Sequence, residues 1–330
     1  MFTFDIVTMA AKISNGLAIF KPLYWLFGKA MEGLLMLFGG QYFLALVVFT
    51  IFTRLVLFPL NLRQQKTMAK TTRLQPKIQK IQKKYSNKDP RDRQKMNEEM
   101  QALYQREGHN PMNMGCGPMA FQMVFLMGII GIIYYPIQYI IGITDFDTYS
   151  SQIAEAIGYK SGAYFQIEIL QNFDKYREIL ATSFPKMFTP DKLEAIADYK
   201  SHMYIGSLDM TQIPHWKDGI IVIIPILCLI TSLASSVVSS LIQKKTNPAA
   251  AQQQQQMILM MLMMPFFSFY ISFKVSAAVG FYWIISNVVA VLQQLVMAKF
   301  YPPRKNMAHE MIENTIERRS REESIKKQKG

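Results

Sequence analysis

In the stretch YFLALVVFTIFTRLVLFPL, from Tyr42 to Leu60, one residue is charged: Arg54. A guanidinium stays protonated in proteins, offers five N–H donors and accepts nothing. Its chemistry is therefore electrostatic, the attraction and orientation of carboxylates and other anions. Facing lipid at mid-depth it would cost at least about 2.5–3.5 kcal/mol on insertion scales. Polar side chains also recur in two other apolar stretches. TSLASSVVSS (231–240) is a run of small hydroxyl residues, and FYWIISNVVAVLQQ (281–294) carries Trp283, Ser286, Asn287, Gln293 and Gln294. Small hydroxyl residues let helices approach closely and hydrogen-bond across the contact. Tight packing and a wet groove wall both account for them.

Other chemistries lack their residues. There is no nucleotide loop, no nucleophile motif and no metal-ligand set. His202 and His215 lack metal spacing, and HEMIE at His309 has one histidine where a zinc helix needs two. Cys116 and Cys228 sit in apolar surroundings and read as packing residues. The chain is expected to be neither an enzyme nor a holder of cofactors.

The elements that must position Arg54 follow from the distribution of apolar residues. The chain has 330 residues, 50% hydrophobic and 18% charged, and its apolar residues come in blocks. About 20 residues at about 1.5 Å rise cross a hydrocarbon core, and the backbone inside must be helical. The expectation is an all-α polytopic membrane protein with five transmembrane helices at 41–61, 118–142, 218–242, 257–273 and 279–298. In the N-terminal segment 1–40, Lys21, Gly28, Lys29 and Glu32 recur on one helical stripe. This predicts an amphipathic helix lying in the interface plane. The opening residues, with Asp5 and no basic region, argue against a cleaved signal.

Net charge is +13. With five spans, 24 Lys/Arg fall on the side of 62–117, 243–256 and the tail 299–330, against 11 on the other. Positive loops stay in the cytoplasm, so the N-terminus is placed outside and the C-terminus inside.

Segment 62–117 predicts a cytoplasmic helical hairpin. Leu74, Ile78, Ile81 and Tyr85 make one helical face, and Met96, Met100, Leu103 and Tyr104 another. Asp89 and Pro90 are placed to start the second arm, and Pro76 to bend the first. Arg73, Lys77, Lys80 and Lys84 lie on the first arm. They serve either as topology signal alone or as a docking surface for anionic headgroups, a ribosome or a nascent chain. Segment 143–217 patterns as a small extracytoplasmic helical module, with a capped start at Thr189–Pro190. Segment 243–256 is a low-complexity loop, and the basic tail suits anionic surfaces such as RNA without sequence preference.

FTRLVLFPLNLRQQKTMAK, LQPKIQKIQKKY, NPMNMGCGPMAFQM and FYWIISN, in this order and spacing, resemble the YidC/Oxa/Alb membrane-protein insertases, in the short form of Gram-positive bacteria. The resemblance covers most of residues 40–300. It implies five helices enclosing a hydrophilic groove open to cytoplasm and lipid. It places the family's groove arginine on Arg54, its last-span aromatic on Trp283 and its glutamine on Gln122. Ser235 and Asn287 are then expected as polar neighbours of Arg54. The implied activity is insertion and chaperoning of nascent membrane proteins, alone or with the Sec translocon. The ribosome would bind through the basic tail and cytoplasmic loops, and anionic lipids would be contacted.

Two alternatives carry over to the structure. Arg54 could be the counter-ion of an ion or solute transporter, although no internal repeat is found. Its side chain could also simply snorkel to headgroups.

Overall fold

The computed structural model describes residues 20–85, 90–107, 116–159, 164–246, 263 and 265–300, with 308, 311, 312, 315, 316, 319 and 320 in the tail. The first nineteen residues, Asp89 and most of 243–264 thus lie outside the described residues, as do the side chains of Arg73 and Gln122. The chain divides into two compact units. The first comprises Met1–Leu55, Gln122–Ala234 and Leu262–Val289; the second comprises Val56–Phe121, Ser235–Met261 and Ala290–Gly330.

In the first unit, α1 (Lys21–Leu37) buries Tyr24, Phe27, Gly28 and Met31. The expected polar stripe is therefore corrected at Gly28, which belongs to the buried face. A Cβ there would overlap the Tyr139 carbonyl, and one at Gly131 or Gly128 would overlap the rings of Tyr24 or Phe27. Glycine on both partners lets the helices approach to backbone contact. Lys21 and Lys29 stay exposed, paired with Asp147 (3.4 Å) and Glu32 (2.6 Å). After Gly39 and Gly40, both at positive φ, α2 (Tyr42–Val56) follows and buries Tyr42, Ala45, Leu46, Phe49, Thr50 and Thr53. This spacing is one helical face.

Helix α2 stops at Val56, and α3 (Phe58–Lys84) restarts beyond Leu57 with Pro59 in its first turn. Proline suits a helix start because the donor it lacks has no partner there. The expected 41–61 span and first hairpin arm thus divide at Leu57. The segment expected as one helix at 118–142 is broken as well. Helix α5 (Cys116–Tyr134) ends two residues before Pro136, which opens the short α6 (Pro136–Tyr139) after Tyr135. Residues before proline are pushed out of the α region.

Segment 143–217 is a folded module of α7 (Phe146–Ala156), α8 (Phe165–Gln171), α9 (Phe173–Ser183) and α10 (Pro190–Ser201). Helix α10 starts after Thr189 as expected, but the Thr189 side chain makes no capping hydrogen bond. A β-hairpin that periodicity did not reveal follows, with Tyr204–Ile205 antiparallel to Leu208–Asp209 across a Gly206 turn at φ +60°. Phe146, Ile153, Phe165, Ile169, Phe173, Leu180, Ile196 and Met210 are buried in one core with Tyr42, Phe49 and Ile132.

Helices α11 (Ile223–Thr246) and α12 (Ala277–Phe300) each run through both units. A short helical stretch, 265–272, lies between them in sequence. Among the described residues, Gly219–Ile242 and Ala277–Phe300 are long and apolar enough to cross a membrane; Tyr42–Val56 and Val124–Tyr134 are apolar but shorter.

The second unit is dominated by α3 and α4 (Pro90–Arg106). Leu74, Ile78 and Ile81 are buried, and Met96, Met100, Leu103 and Tyr104 are half-buried. The two arms are tied by Lys77 to Glu107 and by Lys84 to Glu99 at 2.9 Å. Helix α3 continues through Pro76.

Candidate functional site

Arg54 lies in the last turn of α2, half-buried. Its Nη2 donates to Ser286 Oγ at 2.6 Å and to the Ser286 carbonyl at 3.4 Å. Ser286 is buried on α12. One turn earlier, buried Tyr282 interacts through its hydroxyl with Ser286 and lies within electrostatic reach of Arg54. Among the described residues Arg54 forms no ion pair. On its own helix, Thr50 and Thr53 hydroxyls return to the Leu46 and Thr50 carbonyls, at 2.7 and 2.9 Å, and so make no demand on the guanidinium. Among the described residues, one serine therefore anchors the charge through a single terminal nitrogen.

Asn287, next to Ser286, points elsewhere. Its amide donates to Ser232 Oγ at 2.8 Å and Thr231 Oγ1 at 3.4 Å, bridging α12 to α11. In the second unit the same helix pair has a further polar bond, between Ser239 Oγ and Gln294 Oε1 at 2.8 Å. The hydroxyl run at 231–240 thus spends part of its polarity on interhelical bonds. Where α12 begins, Gly280 lies so close to α11 that a Cβ would sit 2.7 Å from an Ile224 methyl.

Of the residues singled out in the sequence, Arg54 and Asn287 fall in this cluster but do not bond to each other. Trp283 packs half-buried against the core of the first unit, and Ser235 is half-buried on α11. On the hairpin, Lys77, Lys80 and Lys84 are exposed. Ser286, the direct partner of Arg54, stands among the polar residues of its span, and the sequence alone does not assign it to the site. The signal that finds it is spacing: Tyr282 and Ser286 share a face four residues apart, one step round the helix from Trp283 and Asn287.

The model of the 60Kd inner membrane protein family matches this chain over residues 34–305. The chain belongs to the 60Kd inner membrane protein (YidC/Oxa1/Alb3) family. As a member of this family with long apolar helices, it is an α-helical membrane protein. The chain is 47% identical over 92 residues to the membrane protein insertase YidC 1 of Listeria monocytogenes serotype 4b (strain F2365), covering 28% of this chain and 32% of that one. It is 40% identical over 102 residues to the membrane protein insertase YidC of Oceanobacillus iheyensis, covering 31% and 38%. With the membrane protein insertase MisCA of Bacillus subtilis (strain 168) it shares 40% identity over 90 residues, 27% and 34% of the two chains. The matched region thus spans about a third of the length of these relatives. The family match extends over Arg54, Gln122, Ser235, Trp283, Ser286 and Asn287 alike.

Proposed function

We propose that this chain is a membrane protein insertase and chaperone. It receives hydrophobic segments of nascent membrane proteins in a hydrophilic groove lined by Arg54, Gln122, Ser235, Trp283 and Asn287, and it releases them into the bilayer. It works in the bacterial plasma membrane, N-terminus outside and C-terminus inside, alone or with the Sec translocon. Ribosomes are met by the basic tail and the cytoplasmic loops. Family membership supports this reading, and so do the relatives named insertases.

The single observation that carries it is the state of Arg54: half-buried, hydrogen-bonded to Ser286, and without an ion pair among the described residues. A cation so placed attracts the acidic residues that flank an incoming span and lowers the cost of bringing them partway across. The span then moves into lipid, driven by burial of its apolar surface. No nucleotide or cofactor enters this scheme.

The test is insertion in a depletion strain. Arg54→Ala should impair insertion, most for clients with acidic translocated flanks, and Arg54→Lys should retain much of it. Removing the client's acidic residues should relieve the Arg54→Ala defect. Wild-type insertion of every client by both variants would overturn the role of Arg54. Charge-selective solute flux through purified chain in vesicles, lost in Arg54→Ala while insertion persists, would favour a transporter instead.

A further inference from the structure

Residues 212–218 lead from the 143–217 module into α11, and they set Trp216 against another part of the first unit. Its indole stacks on Phe273, with centroids 4.5 Å apart and planes at 26°. It meets Phe269 at 6.0 Å and 70°, and the two phenylalanines pack edge to face at 5.2 Å. One face of the indole is thus fixed, yet Trp216 is 68% exposed, with Ile220 at 64% and Tyr270 at 60%. The apolar exposure continues along α11 at Ile223, Ile226, Leu227 and Ile230. These positions follow helical spacing and form one stripe. On a membrane-spanning helix such a stripe is covered by hydrocarbon. The aromatic shelf is where the stripe begins.

The charges beside the shelf are cationic. Lys217 and Lys274 are exposed. The nearby Asp218 carboxylate is engaged, accepting from the His215 backbone N–H at 2.8 Å and facing His215 Nδ1 at 3.0 Å. The Lys274 carbonyl accepts from the Tyr164 hydroxyl at 2.5 Å, which fixes the backbone that carries this lysine.

We propose that Trp216, with Phe269, Phe273, Lys217 and Lys274, is a membrane-interface anchor that seats on phospholipid headgroups and sets the depth of α11. The indole has an apolar body and one N–H, so it is stable where acyl chains give way to headgroups. Lysines beside it meet lipid phosphates and favour anionic lipids. Continuity with the lipid-covered stripe selects lipid over a second protein as the occupant, because the shelf and the stripe are then covered by one bilayer.

The test uses the full chain in phosphatidylcholine–phosphatidylglycerol vesicles, with lipids brominated near the headgroup or near the chain end. The Trp216→Phe chain keeps Trp25 and Trp283, so the difference in emission between the two chains is that of Trp216. Difference emission at short wavelength, lost to shallow bromines more than to deep ones and little affected by acrylamide, is the expected result. Brominated phosphatidylglycerol should quench more than brominated phosphatidylcholine, and Lys217→Glu with Lys274→Glu should abolish that preference. Long-wavelength emission quenched by acrylamide would overturn the proposal by placing the indole in water. Short-wavelength emission untouched by any brominated lipid would overturn it by placing protein over the shelf. Equal quenching by both lipids in the unmodified chain would overturn the role of the lysines.

Discussion

Arg54 and Ser286 stand 232 residues apart and meet at 2.6 Å, which joins the end of α2 to the first half of α12. A hydrogen bond to a charged group contributes about 1.5–3 kcal/mol. Ser286→Ala should therefore lower stability by about that amount, read as a shift of the denaturant midpoint in bicelles. It leaves the Arg54 charge in place, so insertion should fall less than in Arg54→Ala. A Ser286→Ala chain as defective as Arg54→Ala, yet fully stable, would mean that the serine and not the arginine meets the client.

Glycine contacts make a second prediction. A Cβ on residue 28 overlaps the Tyr139 carbonyl, and backbone cannot move aside as a side-chain tip can. Gly28→Ala should cost about 1–3 kcal/mol, the usual range for overpacking. Gly33, on the same helix with nothing within 4 Å, should instead gain about 0.5–1 kcal/mol on change to alanine, since glycine loses more backbone freedom in a helix. Thermal unfolding of the two variants should move in opposite directions. Equal shifts would show that α1 does not pack on Tyr139 in the membrane.

Much of this architecture is legible in the sequence because it rests on periodicity. The hairpin arms announce themselves through Leu74, Ile78 and Ile81 facing Met96, Met100 and Leu103, where burial is the only requirement. Arg54 is conspicuous as the one charge in an apolar run. Ser286 is not, because a serine in a span reads equally as packing, and only three-dimensional pairing distinguishes it from Asn287. Gly28 misleads for a related reason. Glycine has no polarity of its own, and its place on the buried face depends on how closely Tyr139 approaches. The β-hairpin at 204–209 escaped because its two-residue strands show no alternation to detect.

The hairpin ties make a prediction in pH. The hydrogen bond to Lys84 holds Glu99 below the ordinary carboxylate value of 4.5, and the bond to Glu99 holds Lys84 above 10.5. Glu99 is depressed, so its contribution is full above 4.5 and lost as pH falls through its lower folded value. Lys84 is raised, so its contribution is full below 10.5 and lost as pH rises through its higher folded value. Between these limits the tie is independent of pH, and because both groups are exposed, salt weakens it. Spin labels at Gln82 and Gln101 should report a constant distance distribution from pH 5 to pH 10, broadening below that window and on addition of salt. Broadening between pH 6 and 8 would show that a different group holds the arms.

The 143–217 module makes the last prediction, because the sequence alone presents it as a small helical module resting on the outer surface, with no part in holding the spans. The amides of Ala277 and Ala278 open α12 and have no partners within their own helix. They donate instead to the Gln212 and Met210 carbonyls, each at 2.8 Å. The accepting segment is itself held: Asp209 Oδ1 takes the Thr211 N–H and hydroxyl at 2.9 and 2.6 Å, and the Gln171 amide donates to the Thr211 carbonyl at 2.8 Å. Two orphan donors buried without these acceptors would each cost about 1–3 kcal/mol. Replacing 146–213 by a Gly/Ser linker should therefore give a chain that is degraded in cells and unfolds early in detergent. A dispensable surface loop would leave both properties unchanged. Asp209→Ala, which keeps the whole module, should give a milder form of the same defect. Limited proteolysis should then cut first near Ser276, where α12 begins. A linker chain that matches the full chain in thermal stability would show that α12 finds its N-terminal partners elsewhere.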